Sequence, residues 1–117
     1  MSQVISYNLE YLPKKYNWNV ANVFSFDKLI QFLKQDSILI FREEVLDDYE
    51  FKKKITLLKL TYINLFIVIV SEKKKESDFF VYCQFDDLDE LITRQRKGAF
   101  EIVDSKKLWE EALKIIK

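Results

Sequence analysis

Four acidic side chains stand directly after an apolar run near the middle of the chain. The run covers residues 37–42, and Glu43, Glu44, Asp47 and Asp48 follow it. If the run is a strand, these carboxylates lie at its carboxyl end, where open α/β sheets bind their ligands. One or two carboxylates plus water molecules commonly hold Mg²⁺. Asp47 and Asp48 are therefore candidate metal ligands, although both positions also suit helix N-caps, and we favour capping.

A second charged motif, Glu72-Lys73-Lys74, follows the apolar run 65–70. Its Glu-x-Lys spacing matches half of a PD-(D/E)xK-type nuclease site, in which the glutamate helps to bind a metal and the lysine orients the attacking water. The aspartate that such a site requires is not evident on the preceding strand, and a charged run fits a turn equally well. Glu72 is thus a third candidate metal ligand. Mg²⁺ is the cofactor this interpretation implies, and the alternative is that the chain uses no cofactor.

Basic and aromatic side chains alternate in the N-terminal part of the chain. Phosphate binding needs several basic residues on one face, with aromatic rings where single-stranded bases stack. The candidates for such contacts are Lys14, Lys15, Trp18, Lys73 and Lys74. The 19 basic and 19 acidic residues give a formal net charge of zero, so no overall field attracts nucleic acid. A solvated charged surface is therefore the favoured interpretation of these clusters.

Several residue types that catalysis commonly uses are scarce. The chain has no histidine, which excludes Ser-His and Cys-His nucleophiles and zinc sites built on imidazole. Its one glycine, Gly98, excludes glycine-rich phosphate loops. A lone cysteine, Cys83, excludes an intramolecular disulfide; it favours a reducing, cytoplasmic setting and a buried structural thiol. The Lys, Glu and Ile content is compatible with a thermophile, as it is with an A+T-rich genome.

Apolar spacing predicts four helices. One covers 26–35 with Ser25 as its N-cap, and another covers about 48–61, where an Asp followed three places later by a Glu has capping-box spacing. Residues 55–62 are rich in β-branched types, so a strand is the alternative there. A third helix covers about 87–97 and ends at Gly98. The last helix follows Asp104 or Ser105, and its predicted inward-facing residues are Leu108, Trp109, Ala112, Leu113 and Ile116.

Short apolar runs predict the strands. They cover 4–9, 37–42, 65–70, 79–85 and 100–103, whereas 10–23 looks irregular because it contains Pro13 and three asparagines. The charged segment 71–77 resembles a turn, so 65–85 is predicted to be an antiparallel hairpin. Asp86 and Asp87 would then follow a strand that ends at the opposite edge of the sheet from Asp47 and Asp48.

These elements predict a single α/β domain over residues 1–117, with a mixed, mostly parallel sheet and helices on both faces. An α+β fold is the alternative if 55–62 is a strand. Residues 55–71 are mostly apolar, but Lys59 and Asn64 lie within them, so buried core is favoured over a membrane span. The expected function is that of a small intracellular, non-catalytic domain that acts through protein contacts, as a homo-oligomer. The alternative is a metal-dependent nucleic-acid-binding protein or nuclease that uses carboxylates at strand ends.

Overall fold

A computed structural model of the chain describes residues 3–9, 20–34, 36–62, 64–73, 75, 77, 79–96 and 105–116. The strands are β1 (Val4–Tyr7), β2 (Val20–Val23), β3 (Ile38–Arg42), β4 (Phe66–Val70) and β5 (Val81–Cys83). The helices are α1 (Phe26–Phe32), α2 (Tyr49–Thr61), α3 (Phe85–Arg96) and α4 (Ser105–Ile116). A 3-10 helix, Glu43–Asp47, joins β3 to α2. The predicted strand over 100–103 and the predicted helix end at Gly98 lie outside the described residues.

The five strands form one sheet in the order β2-β1-β3-β4-β5, and every neighbouring pair is parallel. The fold is therefore α/β. The predicted antiparallel hairpin over 65–85 is wrong, because β5 runs in the same direction as β4, with Val68 opposite Val81 and Val70 opposite Cys83. All five carboxyl ends consequently meet at one edge of the sheet.

The sequence of the β4–β5 connection explains this error. Phe79 and Phe80, predicted to begin the strand, instead lie in the connection and are buried in the core. Their rings pack edge to face with centroids 4.8 Å apart. The hydroxyl of Ser77 accepts the backbone N–H groups of both residues at 3.1 Å. These contacts turn the connection over one face of the sheet, so β5 begins only at Val81 and runs parallel to β4.

Alternate residues of the central strands point to two separate cores. Ile5, Leu39 and Ile67 belong to the larger core, which includes residues of α1, α2 and α4. Val4, Ile38 and Val68 belong to the smaller core, which includes Leu88 and Ile92 of α3. Helices therefore cover both faces, as predicted. Strands buried on both faces have nearly continuous apolar sequences, which is why the run 37–42 could be recognised as a strand.

Helix α2 begins at a side-chain cap. The carboxylate of Asp48 accepts the backbone N–H of Glu50 at 3.1 Å and that of Phe51 at 3.3 Å. The helix continues to Thr61, so residues 55–61 are helical and the strand alternative for this segment is wrong. Phe51 stacks on Tyr7 with ring centroids 4.5 Å apart and meets Phe41 edge to face. The cap and the aromatic cluster together hold the start of α2 against the sheet.

Two predictions about single elements require correction. Residues 20–23, predicted to be irregular, form the edge strand β2, in which Asn22 accepts a hydrogen bond from the buried Ser6 hydroxyl. On α4, Leu108 and Ala112 are buried as predicted, but Trp109 and Leu113 are more than half exposed. Each exposed residue lies one position after a buried one and is rotated by about 100° around the helix axis.

No helix within the described ranges is long and apolar enough to cross a membrane.

Candidate functional site

A cleft opens at the carboxyl ends of β3, β4 and β5, and we call it the strand-end cleft. Its volume is about 660 Å³, which is within the range of small-molecule sites in proteins. The helix α3 begins at its border, directly after β5. Most of the lining is polar or charged: Arg42, Glu43, Glu44, Val70, Ser71, Glu72, Lys73, Lys75, Gln84, Phe85 and Asp86.

Glu43 contacts residues on the opposite side of this cleft. It directly follows β3, and its carboxylate accepts a hydrogen bond from the Ser71 hydroxyl, at the end of β4. The same carboxylate forms an ion pair with Lys75 in the β4–β5 connection. The hydrogen bond from Lys75, followed by that from Ser71, lowers the pKa of Glu43, and the hydrogen bond to Glu43 raises the pKa of Lys75. Glu43 is therefore ionised at neutral pH and held in place.

Arg42 and Gln84 are also positioned by contacts in the cleft. The guanidinium carbon of Arg42 lies 5.2 Å from the centroid of the Phe85 ring, a distance that permits a cation–π interaction. The side-chain amide of Gln84 donates to the backbone carbonyl of Glu72 at 3.1 Å. The first contact joins β3 to the start of α3, and the second joins the β4–β5 connection to the residue that follows β5. Strand order thus brings side chains distant in sequence into one site.

Five charged groups of the cleft form no ion pair with another described residue. Two are cationic, Arg42 and Lys73, and three are anionic, Glu44, Glu72 and Asp86. Of the acids noted in the sequence after β3 and β5, Glu43, Glu44 and Asp86 line the cleft, and two of these three have no ion-pair partner among the described residues. The exception is Glu43, which the pair with Lys75 neutralises. The cleft therefore carries charges of both signs outside the Glu43–Lys75 pair, and the positive charge of Lys73 also acts on Glu43.

Of the three residues that the sequence nominates as metal ligands, the structure places only one in the strand-end cleft. Glu72 lines the strand-end cleft. Asp48 caps α2, so the capping interpretation is confirmed for this residue, and Asp47 is exposed at the end of the 3-10 helix. Within the described ranges, no three histidine, cysteine or carboxylate side chains are grouped as a metal site requires. The metal assignment stays a prediction.

The five residues nominated for nucleic-acid contacts have different outcomes. Lys73 lines the strand-end cleft and is exposed. Lys14, Lys15, Trp18 and Lys74 lie outside the described residues. The nucleic-acid assignment is therefore still a prediction.

Sequence reasoning missed most of the residues that make the cleft. Ser71, Lys75 and Gln84 carry no motif, and only their positions after parallel strands connect them. Asp86 was recognised as a strand-end acid but assigned to the opposite edge, because β5 was predicted to be antiparallel. The sequence signal that could have placed Asp86 at the correct edge is Phe79-Phe80. This fully apolar pair suits a buried connection as well as a strand.

Cys83, the one thiol, ends β5 near the cleft without lining it. Burial, and then the negative charge of Asp87, raises the pKa of the Cys83 thiol to about 11. The thiol is therefore protonated at neutral pH. The nucleophilic form is the thiolate, so the raised pKa supports the predicted structural role. The side chain is half-buried rather than buried as predicted.

Fold and cleft together define an open, parallel α/β sheet with a charged cavity at its carboxyl edge. Strand order reverses between β1 and β3, and the cleft extends from β3 away from that switch point toward β5. Comparisons with known protein families, with curated proteins and with solved structures find no match to this chain.

Proposed function

We propose that this chain is a small, cytoplasmic, non-catalytic α/β domain that acts through protein contacts and associates with a second copy of itself. The observation that carries the proposal is a set of large apolar side chains exposed on two neighbouring helices. Tyr49 and Leu57 of α2 are 52% and 46% exposed, and Trp109 and Leu113 of α4 are 57% and 52% exposed. We call these four residues the helical apolar patch.

The two helices that carry this patch are in direct contact. The hydroxyl of Tyr49 donates to the backbone carbonyl of Ile116 at 2.7 Å, so the start of α2 lies beside the end of α4. Trp109 and Leu113 are four residues apart and share one side of α4. Exposed aromatic and aliphatic residues on adjacent elements are typical of interaction surfaces, and tryptophan and tyrosine are enriched among the residues that dominate binding energy.

A second copy of the chain is the occupant that we favour. The formal net charge of zero means that two copies do not repel each other through their overall charge. A twofold arrangement would place the same patch on both sides of the interface, as closed homodimers require.

Sedimentation equilibrium of the full chain tests this proposal. We expect a dimer at micromolar concentration and a monomer for Leu113→Glu, because the new carboxylate would be buried at the interface without a partner. Ile30→Glu is the matched control: Ile30 is 43% exposed, lies on α1 outside the patch, and should leave the dimer intact. A wild-type monomer, or equal loss of the dimer in both variants, would contradict the proposal.

The alternative, a metal-dependent nucleic-acid-binding protein or nuclease, draws its support from the strand-end cleft. Glu43, Glu44, Glu72 and Asp86 all reach one cavity at the carboxyl edge, where such carboxylates would be needed. A rise in melting temperature with Mn²⁺ that disappears in Glu72→Gln would favour this alternative over a purely protein-binding role.

A further inference from the structure

The strand-end cleft has a distribution of charge that the proposed protein-binding role does not use. It shares no residue with the helical apolar patch. Its 660 Å³ volume suits a small organic molecule rather than a single ion. The chemistry of the lining therefore indicates what kind of molecule would fit.

Neither a simple anion nor a simple cation matches this lining. An anion near Arg42 and Lys73 would also meet the carboxylates of Glu44, Glu72 and Asp86. The first turn of α3, which would otherwise attract an anion, already carries two carboxylates of its own. A simple cation near those acids would in turn be repelled by the two basic side chains. Only a ligand with charges of both signs can pair with both sets.

We propose that the strand-end cleft binds a small zwitterionic ligand of the amino-acid or short-peptide class. Its carboxylate pairs with Arg42 and Lys73, and its ammonium group pairs with the acids Glu44, Glu72 and Asp86. The uncharged part of the ligand lies against Val70 and Phe85, the apolar residues of the lining.

Several groups of the cleft are fixed by internal contacts, which reduces the entropy lost on binding. The Glu43 carboxylate is held by Ser71 and Lys75, so this pair adds no free charge to the site. The guanidinium of Arg42 is oriented over the Phe85 ring. Arginine can donate two parallel N–H groups to one carboxylate, and Arg42 would pair with the ligand carboxylate in this way.

Titrations of the ¹⁵N-labelled full chain, followed by amide chemical shifts, test this inference. The probes are the dipeptides Gly-Phe, Gly-Glu and Gly-Lys, together with the N-acetyl and C-terminal amide forms of Gly-Phe. We expect saturable shifts at cleft residues with at least one free dipeptide at millimolar concentration or below. For Gly-Phe, each capped form should bind about tenfold more weakly or worse, a loss equivalent to about 1.4 kcal/mol.

Two protein variants make the test specific. Arg42→Gln should weaken binding of the free dipeptide and reduce its advantage over the amide form, because one of the two partners of the ligand carboxylate is gone. Arg94→Gln is the matched control, since Arg94 pairs with Glu90 on the exposed part of α3 and does not line the cleft. This control should bind like the wild type.

Three outcomes of these titrations would overturn the inference. Equal binding of free and capped Gly-Phe, or no saturable shift with any of the three dipeptides, would overturn the inference. Inorganic phosphate or Mg²⁺ alone producing the same saturable shifts would also overturn it, in favour of a simple ion site. None of these outcomes bears on the dimer, which sedimentation of Leu113→Glu tests separately.

Discussion

Lys59 illustrates how one buried residue can set a measurable property of the whole chain. Its side chain is 7% exposed, and its ammonium group donates to the backbone carbonyl of Leu65, just before β4. Burial lowers the pKa of Lys59 from 10.5 to about 8. A buried ammonium is costly unless it is hydrogen-bonded, and this contact joins the last turns of α2 to the sheet.

The lowered pKa of Lys59 makes a prediction about stability and pH. Between about pH 8 and 10.5 the unfolded chain keeps this proton while the folded chain releases it, so the lysine's contribution to stability rises with pH. The full change corresponds to about 3 kcal/mol. In urea unfolding, wild type should therefore gain stability relative to Lys59→Met over this range. Raised pKa values make stability fall with pH, and this applies to Tyr7, Tyr82 and Cys83. Their effect is the same in wild type and in Lys59→Met, so it cancels in the comparison.

Lys53→Met is the control for this measurement, because Lys53 is exposed on the same helix. The free energy of unfolding of Lys53→Met should differ from that of wild type by the same amount at every pH in this range. Parallel pH profiles for wild type and Lys59→Met would show that the ammonium of Lys59 is not destabilised in the folded chain.

At the scale of the elements, the adjacent residues Asp47 and Asp48 have separate roles despite identical chemistry. Asp48 accepts two backbone N–H groups at the start of α2, whereas Asp47 makes no such cap. Asp48→Ala should therefore lower the free energy of unfolding by about 1 kcal/mol, as the loss of an N-cap commonly does. Asp47→Ala should change it by less than about 0.5 kcal/mol, as surface substitutions usually do. Equal effects in chemical denaturation would contradict the capping role.

How far the sequence predicts these elements depends on whether local contacts decide their form. Ser25 and Asp48 cap helices through residues two or three positions away, so both helix starts were predicted correctly. The direction of β5 depends on where Phe79 and Phe80 are buried, which involves residues far away in the chain. Strand β2 has only four residues at the edge of the sheet, and pairing with β1 rather than propensity forms it.

The same distinction applies to the candidate site. Its acids could be recognised from their positions after apolar runs, but their convergence required the direction of β5. The pairing of Glu43 with Lys75, 32 residues later, follows only from the parallel order of β3, β4 and β5. Sequence therefore predicted that acids follow the strands, and the topology determined which edge they share and which of them meet.

For the molecule as a whole, burial predicts that the sheet is more stable at its centre, β3, than at its edge strand β5. Residues 38–41 of β3 are fully buried between two strands, while all three residues of the edge strand β5 are half-buried. Amides in β3 should therefore exchange with solvent only through global unfolding, and those of β5 through local opening at lower free energy. Hydrogen exchange measured across a low-urea series distinguishes the two, because only exchange by global unfolding accelerates steeply with urea. Equal protection of β3 and β5 would show that the strand-end cleft opens only when the whole sheet unfolds.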